Sequence, residues 1–378
     1  MIESLKITLS VGYFKGIYYV DIDTRKAEST ALFSRHWAEE YASGSVGCKE
    51  GRGNFMWRPQ GFGSNANNML NAWVRALAVE KWSDLAVITD SDQMKHVECR
   101  NESSGVASTG WDCLFTPMPH LCTFSSAVHW TDFMASMNVS SEDQRKAVSL
   151  DQDAVRFHPE TIVDSLENLD VDHVTALAAM AKHLWSYRTP WLLEDVRSVV
   201  PRQANAISTE EIWPPSFLGL HIRRGDKVSH GEMKSIESED YLSAAAAYLG
   251  NGTDRVSVDE IVGIWLASDD PAVLEEVREI APGYFPNLDN GSVTWVSGGV
   301  PQGQIHRVPT RTDQQTYAEF VYMFADLQQL AAADVFVGTF SSNVGRLVVL
   351  LREFIGGRPR DSAISLDVET WAPGRRRS

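Results

Sequence analysis

The 378-residue chain lacks any run of about 18 apolar residues, so the sequence encodes no transmembrane helix. Basic residues are scarce, because 34 Lys and Arg stand against 50 Asp and Glu and give a formal net charge of -16. Nucleic-acid-binding domains normally carry a basic face, so this balance argues against nucleic acid as a partner. The basic cluster 375–377 is interpreted as a solvated tail.

Several binding signatures are also missing. No Gly-x-x-x-x-Gly-Lys phosphate loop occurs, so ATP hydrolysis is not indicated, and no Gly-x-Gly-x-x-Gly fingerprint occurs, which disfavours a nicotinamide enzyme. The cysteines, at positions 48, 99, 113 and 122, follow no zinc-binding spacing, so we expect no metal site.

The cysteines and the Asn-x-Ser/Thr sequons bear on the cellular compartment. Four cysteines in one region are compatible with two disulfides and an oxidising compartment. The sequons begin at Asn101, Asn138, Asn251 and Asn290. Residues 1–10 contain no cleavable secretory signal. We expect a glycoprotein of the Golgi or another secretory lumen, with its membrane anchor absent from this chain; a cytoplasmic protein with free thiols is the alternative.

Short apolar segments alternate with helical patterns from about residue 214 onward. This alternation predicts an α/β fold with a parallel sheet and helices on both faces. The predicted strands are 217–222, 261–267, 292–296 and 335–337, and the predicted helices include 316–333. Before residue 205 the patterns predict a helix at 67–81, a strand at 85–88, loops at 99–126 and a helix at 174–199 that is broken near Pro190.

Charged and hydroxyl-bearing residues follow three of the predicted strands. Ligands of such sheets bind beyond the carboxyl ends of the strands, so these residues are the candidate site. Segment 223–227 carries four charges on five residues, and its arginines can each pair two phosphate oxygens. A surface ion-pair cluster is the alternative interpretation.

The other two strand ends extend this interpretation. Of Asp269 and Asp270, one carboxylate can cap the next helix and the other can bind a sugar hydroxyl or a base edge, although both can be capping residues. Segment 338–346 places small hydroxyl residues at a helix start, which is typical of an anion site. Together, the three strand ends favour a nucleotide diphosphate as ligand.

Three segments resemble motifs of the α-1,6-fucosyltransferases, which include the enzymes that add core fucose to N-glycans. Segment 220–228 (LHIRRGDKV) resembles the His-x-Arg-Arg-x-Asp-Lys motif, 266–271 (LASDDP) the second motif and 337–346 (VGTFSSNVGR) the third. Weaker likeness extends the resemblance to about residues 45–370, through segments 61–63, 110–112, 162–166, 189–192 and 365–367.

The resemblance implies the GT-B fold, in which two Rossmann-like domains face a cleft, and GDP-fucose as donor. We accordingly divide the chain into an N-terminal acceptor-side α/β domain at 1–205, which holds the cysteines, and a C-terminal GDP-fucose-binding domain at 206–378. The implied reaction transfers L-fucose with inversion to a glycan hydroxyl, namely α-1,6 to the core GlcNAc of an N-glycan. Neither a metal nor another cofactor is expected.

The resemblance also implies roles for individual residues. Arg223 holds the β-phosphate and takes part in catalysis, while Glu232 acts as the base with Lys227 as its partner. His221 lies beside the nucleotide, and Asp326 recognises guanine. The implied donor-binding residues are His221, Arg223, Arg224, Asp226, Ser268, Asp269, Asp270, Asp326, Phe340, Ser341 and Ser342. The implied disulfides are Cys48–Cys122 and Cys99–Cys113.

Departures from the family pattern leave alternatives open. The stem and SH3-like domain of the animal enzymes have no counterpart within the 378 residues, so another glycan or a protein is an alternative acceptor. The loop around Glu232 is one residue longer than in the family, which permits an inactive sugar-nucleotide- or glycan-binding relative. A third alternative is a metal-dependent GT-A transferase, in which Asp90-Ser91-Asp92 would bind the metal.

Overall fold

The computed structural model describes residues 11–14, 17–20, 53–56, 62–78, 85–88, 98–100, 107–116, 121–124, 173–200, 216–225, 228, 235–251, 256–289, 291–294, 313–355 and 357–367. They fall into two compact units. The seven-stranded unit comprises the described residues of 1–26, 196–303 and 321–371. The three-stranded unit comprises those of 27–195 and 304–320.

The strands are β1 (Val11–Phe14), β2 (Ile17–Val20), β3 (Gly53–Met56), β4 (Leu85–Ile88), β5 (Glu98–Arg100), β6 (Ala107–Thr109), β7 (Leu121–Phe124), β8 (Phe217–Ile222), β9 (Gly263–Ser268), β10 (Val293–Thr294), β11 (Val335–Gly338) and β12 (Ala363–Ser365). The α-helices are α1 (Phe62–Ala78), α2 (His173–Ser186), α3 (Pro190–Val199), α4 (Ser238–Gly250), α5 (Ala272–Ile280), α6 (Asp313–Ala332) and α7 (Asn343–Ile355).

The larger sheet has the strand order β1-β2-β12-β11-β8-β9-β10. Its last five strands are all parallel, and the β1–β2 hairpin joins β12 in antiparallel orientation. Among the five parallel strands, the first in the chain is β8, which lies in the middle. The chain then adds β9 and β10 on one side of β8 and crosses over to add β11 and β12 on the other side. The strand order therefore reverses between β8 and β11, which makes the carboxyl ends of these two strands the expected ligand-binding edge.

Both faces of this sheet are covered by helices. All six residues of β8 and all six of β9 are buried, as expected for central parallel strands flanked by helices. Leu218, Leu220 and Ile222 share one apolar core with residues of α4 and α5. Successive strand residues point to opposite faces, so Gly219 lies on the other face, against α6. The predicted α/β fold with helices on both faces of a parallel sheet is confirmed.

A buried ionic junction fixes the helices behind the sheet. Asp334, at the start of β11, accepts a hydrogen bond from the backbone N–H of Phe217 at 2.9 Å and pairs with Arg358 at 2.6 Å. The fully buried Arg352 of α7 donates to the carbonyls of Leu330 and Asp334 at 3.2 and 3.0 Å. Because these bonds satisfy carbonyls at the end of α6, they hold α6, α7 and β11 in register.

The three-stranded unit contains a parallel sheet in the order β3-β4-β7 and a separate β5–β6 hairpin. Cys99 and Cys113 form a disulfide, which confirms one of the two implied pairs. The other implied pair involves Cys48, which lies outside the described residues. The interpretation of 99–126 as loops is wrong, because this range contains most of β5 and all of β6 and β7. Strands of three or four residues are too short for a periodic pattern to reveal.

The remaining predicted boundaries agree with the structure within a few residues, including the break at Pro190 between α2 and α3. The sequence patterns did not predict the β1–β2 hairpin or β12. None of the helices among the described residues is long and apolar enough to cross a membrane. The division of the chain at residue 205 stays a prediction.

Close packing at Gly219 yields a test of the central sheet. A Cβ atom there would lie 3.0 Å from Cβ of Ala333 and 3.1 Å from Cδ2 of Leu330. We expect Gly219→Val to lower the free energy of unfolding by about 1–3 kcal/mol through overpacking, as measured by denaturant titration.

Gly250, the last residue of α4, is the matched control, because a Cβ atom there meets nothing within 4 Å. Gly250→Ala should be neutral or stabilise the protein by up to about 1 kcal/mol, since alanine is the better helix former. Equal stability of the Gly219→Val protein and the wild type would contradict the close approach of α6 to β8.

Candidate functional site

Two short loops border the edge at which the strand order reverses. Residues 223–225, called the arginine loop, follow β8, and residues 339–342, called the serine loop, follow β11 and lead into α7. Since β8 and β11 are hydrogen-bonded neighbours, the two loops leave the sheet side by side. The edge therefore combines two arginines with the N-terminus of a 13-residue helix.

Among the described residues of this edge, the buried polar atoms without a hydrogen-bond partner include Nδ1 of His221, near the end of β8, and Oγ1 of Thr339, directly after β11. The residues are 3% and 0% exposed, respectively. Leaving a buried polar group unpaired costs about 1–3 kcal/mol, and such groups in native proteins commonly serve a function. Their position at the reversal point indicates a site whose polar complement is a ligand.

His221 is neutral in this setting. Burial, followed by the positive charge of Arg223, lowers the pKa of the imidazole to about 3. A neutral imidazole has one donor and one acceptor nitrogen, so His221 can contribute directed hydrogen bonds but no positive charge. The cationic character of the edge therefore comes from the arginines.

The carboxylate of Asp269, directly after β9, shapes the arginine loop. It accepts the backbone N–H of Arg224 at 2.8 Å and that of Gly225 at 3.0 Å. Nε of Arg223 lies 3.7 Å from the same carboxylate. Gly225 must lack a side chain, because a Cβ atom there would overlap the carboxylate. Asp269 therefore acts on the loop backbone and is not an uncommitted ligand for a sugar hydroxyl.

The two arginines make different contacts. Arg224 lies on the side of α4 and α5, where it donates to Glu276 Oε1 at 2.6 Å and to Ser238 Oγ at 3.1 Å. Nε of Arg223 lies 3.7 Å from Asp269, and the charge of Arg223 acts on His221. The guanidinium of Arg224 is thus bound to α4 and α5, whereas the charge of Arg223 acts at the reversal point.

The remaining residues of the second motif also have intramolecular partners. Asp270 accepts the backbone N–H of Ala272 at 3.0 Å and donates its own N–H to Ser268 Oγ at 3.1 Å. The first of these bonds satisfies the N–H of Ala272, in the first turn of α5, which is the role of a capping residue. Of the two roles expected for the acidic pair, Asp270 has the capping role. Asp269 instead accepts backbone N–H groups of the arginine loop.

Asp326 lies on α6, on the same face as His221. It is 1% exposed, and its Oδ1 accepts a hydrogen bond from Nε1 of Trp265 at 2.9 Å. This bond fastens α6 to β9. The structure therefore gives Asp326 an internal partner, and its recognition of guanine stays a prediction.

Asp367, just after β12, braces the serine loop. Its Oδ1 accepts the backbone N–H groups of Phe340 at 3.0 Å and Ser341 at 3.4 Å, and its Oδ2 accepts the Ser341 hydroxyl. Arg346 donates to the carbonyl of Phe340 at 2.6 Å. Ser342 is 1% exposed, and its N–H donates to Thr339 O at 3.2 Å. The main chain of the loop is thereby fixed before any ligand binds.

The structure brings most predicted site residues to one edge of the seven-stranded unit. These residues are His221, Arg223, Arg224, Ser268, Asp269, Asp270, Phe340, Ser341 and Ser342, while Asp326 lies on the helix behind the edge. Asp226, Lys227 and Glu232 lie outside the described residues. Among the described residues, no group of three or more His, Cys, Asp or Glu side chains could hold a metal ion.

Sequence reasoning assigned no role to Ser238, Glu276, Thr339 or Asp367. Thr339 and Asp367 lie within segments that carry the family likeness, so the likeness marked their neighbourhood. Ser238 and Glu276 lie 14 and 52 residues from Arg224 and belong to no motif. Only the pairing of the elements reveals these partners.

The neutral His221 predicts a specific pH dependence of stability. Its folded pKa of about 3 lies below the ordinary value of 6.5, so the unfolded chain binds more protons between these values, and stability falls as the pH falls below 6.5. We expect the difference in unfolding free energy between wild type and His221→Asn to shrink by about 1.4 kcal/mol per pH unit from about pH 6 to pH 4.

Denaturant titrations at several pH values measure this difference, and the effects of the other histidines cancel in it. Above about pH 7.5 the difference should be constant, because His221 is then neutral in both states. A difference that does not change between pH 6 and pH 4 would contradict a buried, neutral His221.

Comparisons with known proteins identify the family of the chain. Residues 102–367, more than half of the chain, match the family model for alpha-(1,6)-fucosyltransferase N- and catalytic domains. The structure is similar to fucosyltransferase NodZ from Bradyrhizobium, at 13% identity and a TM-score of 0.42, with 79% of this chain and 92% of that chain covered. It is also similar to POFUT1 in complex with GDP-fucose, at 12% identity and a TM-score of 0.41, covering 83% and 98%. The chain belongs to the alpha-(1,6)-fucosyltransferase family.

Proposed function

We propose that the protein transfers L-fucose from GDP-fucose to a glycan hydroxyl with inversion, α-1,6 to the core GlcNAc of an N-glycan. The observation that carries the donor assignment is the edge between β8 and β11, where the charge of Arg223 acts on His221 and where the described residues offer no hydrogen-bond partner to the buried His221 Nδ1 and Thr339 Oγ1. Family membership supports fucosyl transfer as the reaction of this edge.

The diphosphate of the donor accounts for the charge of the edge. Cleavage of the bond between fucose and GDP leaves negative charge on the β-phosphate, and a fixed cation lowers the energy of that state. Arg223 is the candidate cation, as the family motif implies, while the guanidinium of Arg224 donates to Glu276 and Ser238. The start of α7 supplies the positive end of a helix dipole on the same edge.

The nucleoside part of the donor can account for the neutral groups. His221 and Thr339 offer a ring nitrogen and a hydroxyl in a dry environment, where a hydrogen bond to a nucleoside is worth more than in water. The proposed contact of Asp326 with guanine comes from the family motif, and it adds to the bond that Oδ1 accepts from Trp265.

The acceptor hydroxyl must lose a proton as it attacks the anomeric carbon. We propose Glu232 as the base and Lys227 as its partner, on the strength of the family motif. The attack comes from the face opposite the departing GDP, so the configuration inverts. A carboxylate suits this task because it accepts the proton as charge leaves with the diphosphate.

Two alternatives for the acceptor side follow from the sequence. The acceptor is another glycan or a protein, or the chain binds the donor or a glycan without catalysis. An acceptor screen with GDP-fucose, with products identified by mass spectrometry, separates these cases. Retained GDP binding without transfer to any acceptor would favour the inactive relative.

The proposed compartment is the lumen of the Golgi or of another secretory organelle. The Cys99–Cys113 disulfide supports it, because disulfides persist in oxidising compartments. The four sequons provide a second, independent support. Cytoplasmic localisation is the alternative, and imaging of the tagged full chain distinguishes the two.

Removal of the Arg223 guanidinium tests the donor site. We expect Arg223→Ala to lower the rate of fucosyl transfer by about 10²–10³-fold or more, because the diphosphate then lacks its cation. GDP affinity measured by calorimetry should fall as well, while the circular dichroism spectrum stays unchanged.

Arg278→Ala is the matched control, since Arg278 makes only an exposed pair with Glu275 on the surface of α5. Such pairs contribute little, so this variant should retain wild-type transfer and stability. Near-normal turnover of Arg223→Ala would refute the assignment of Arg223.

The proposed mechanism needs no metal, because an arginine stabilises the diphosphate. We expect full transfer activity in EDTA and no stimulation by Mn²⁺. Activity that is lost in EDTA and restored by Mn²⁺ would instead favour the GT-A alternative, in which Asp90 and Asp92 bind the metal. Both residues lie outside the described part of the chain.

A further inference from the structure

Arg224 belongs to a closed hydrogen-bonded ring with two residues of neighbouring helices. Its two Nη atoms donate to Glu276 Oε1 at 2.6 Å and to Ser238 Oγ at 3.1 Å. The Ser238 hydroxyl in turn donates to Glu276 Oε2 at 2.7 Å. Glu276 lies on α5, and Ser238 is the first residue of α4. The ring thus ties the end of β8 to both helices that cover this face of the sheet.

The ring is charged and only partly shielded from water. The Arg224 side chain is 16% exposed and Ser238 is 3% exposed, whereas the Glu276 side chain is 40% exposed. The hydrogen bond from Arg224 lowers the pKa of the Glu276 carboxyl, while the Glu276 hydrogen bond raises the pKa of Arg224. Both groups therefore stay ionised near neutral pH. A charge-assisted contact between a guanidinium and a carboxylate is among the stronger hydrogen bonds of proteins.

The arginine loop is consequently held at two independent points. Asp269 holds the backbone N–H groups of Arg224 and Gly225, and the ring holds the Arg224 side chain. Arg223 directly precedes Arg224 in this loop, and its Nε lies 3.7 Å from the same Asp269 carboxylate, so its position depends on both anchors. Losing one anchor would let the loop rotate and would displace Arg223 from the diphosphate.

We propose that Glu276 and Ser238 are positioning residues of the donor site, which act through Arg224 and do not touch the donor. This inference rests on the proposed function, because it assigns Arg223 to the diphosphate. Arg224 is then a structural anchor, although the family motif includes it among the donor-binding residues. The anchoring role of Arg224 follows from the bonds that its guanidinium makes to Glu276 and Ser238.

Glu276→Gln tests this role with little change of shape, since the amide keeps one acceptor oxygen but loses the charge. We expect the Kd for GDP and the KM for GDP-fucose to rise about tenfold, with kcat changed less than about threefold. Ser238→Ala removes only a neutral bond and should raise both constants about threefold. If the Glu276→Gln protein does not fold, the Kd and KM of the Ser238→Ala protein provide the test.

Glu275→Gln is the matched control, because the neighbouring glutamate on α5 is 76% exposed and pairs only with Arg278. Its Kd and KM should equal those of the wild type. Equal values for Glu276→Gln and Glu275→Gln would overturn the proposal. A loss confined to kcat in the Glu276→Gln protein would overturn it as well.

A double-mutant cycle distinguishes anchoring from direct contact with the donor. If Arg224 acts only through the ring, then Arg224→Gln, Glu276→Gln and the double variant should show similar losses of GDP affinity. Additive losses would show that Arg224 and Glu276 act independently and would overturn the proposal, whereas a moderately larger loss in Arg224→Gln is expected from its further contacts with Ser238 and Glu237.

The wild-type measurements separate this proposal from the proposed function. A wild-type protein that binds neither GDP nor GDP-fucose would refute the proposed function itself. A wild-type protein that binds GDP, combined with a Glu276→Gln protein that binds it equally well, would refute only the positioning role.

Discussion

The geometry of the site depends on the carboxylate of Asp269, which accepts hydrogen bonds from the backbone directly after the end of β8. The backbone N–H groups of Arg224 and Gly225 lie beyond the last residue of β8, and Asp269 accepts both of them. The Asp269 side chain is 4% exposed, so water competes little for these bonds. Two neutral donors and the nearby Arg223 offset the cost of burying this charge. The fixed backbone sets the position of both arginines, and the Arg224 guanidinium reaches Glu276 and Ser238 on the helix side.

The same device recurs on the other side of the point where the strand order reverses. Asp367 follows β12 and braces the loop after β11, as Asp269 follows β9 and braces the loop after β8. In each case the brace comes from the outer neighbour of the strand whose loop it holds. The inner sides of both loops therefore face each other and stay available to a ligand. Such preorganisation lowers the ordering cost of binding, because the loops are already fixed.

These braces also account for acidic residues beside a proposed diphosphate site. A free carboxylate would repel the donor, but each of these carboxylates is surrounded by hydrogen-bond donors of the protein. Their negative charge thereby binds the N–H groups of the loops. Arg223 and the start of α7 contribute positive charge at this edge, and the neutral His221 adds polarity without charge. The family likeness identified Asp269 as part of the donor site and gave Asp367 no role, and the structure shows that both carboxylates bind the main chain of a loop.

The sequence by itself determined the α/β fold, the central strands and the edge that carries the site. Continuous apolar runs mark buried parallel strands, and polar residues directly after them mark a ligand edge, because both signals are local. The tertiary structure alone decided the partners of those residues. Glu276 meets Arg224 across 52 residues, and β12 and the β1–β2 hairpin join a sheet whose other strands lie elsewhere in the chain. Strand order and register create these contacts, and neither leaves a periodic trace in a single sequence.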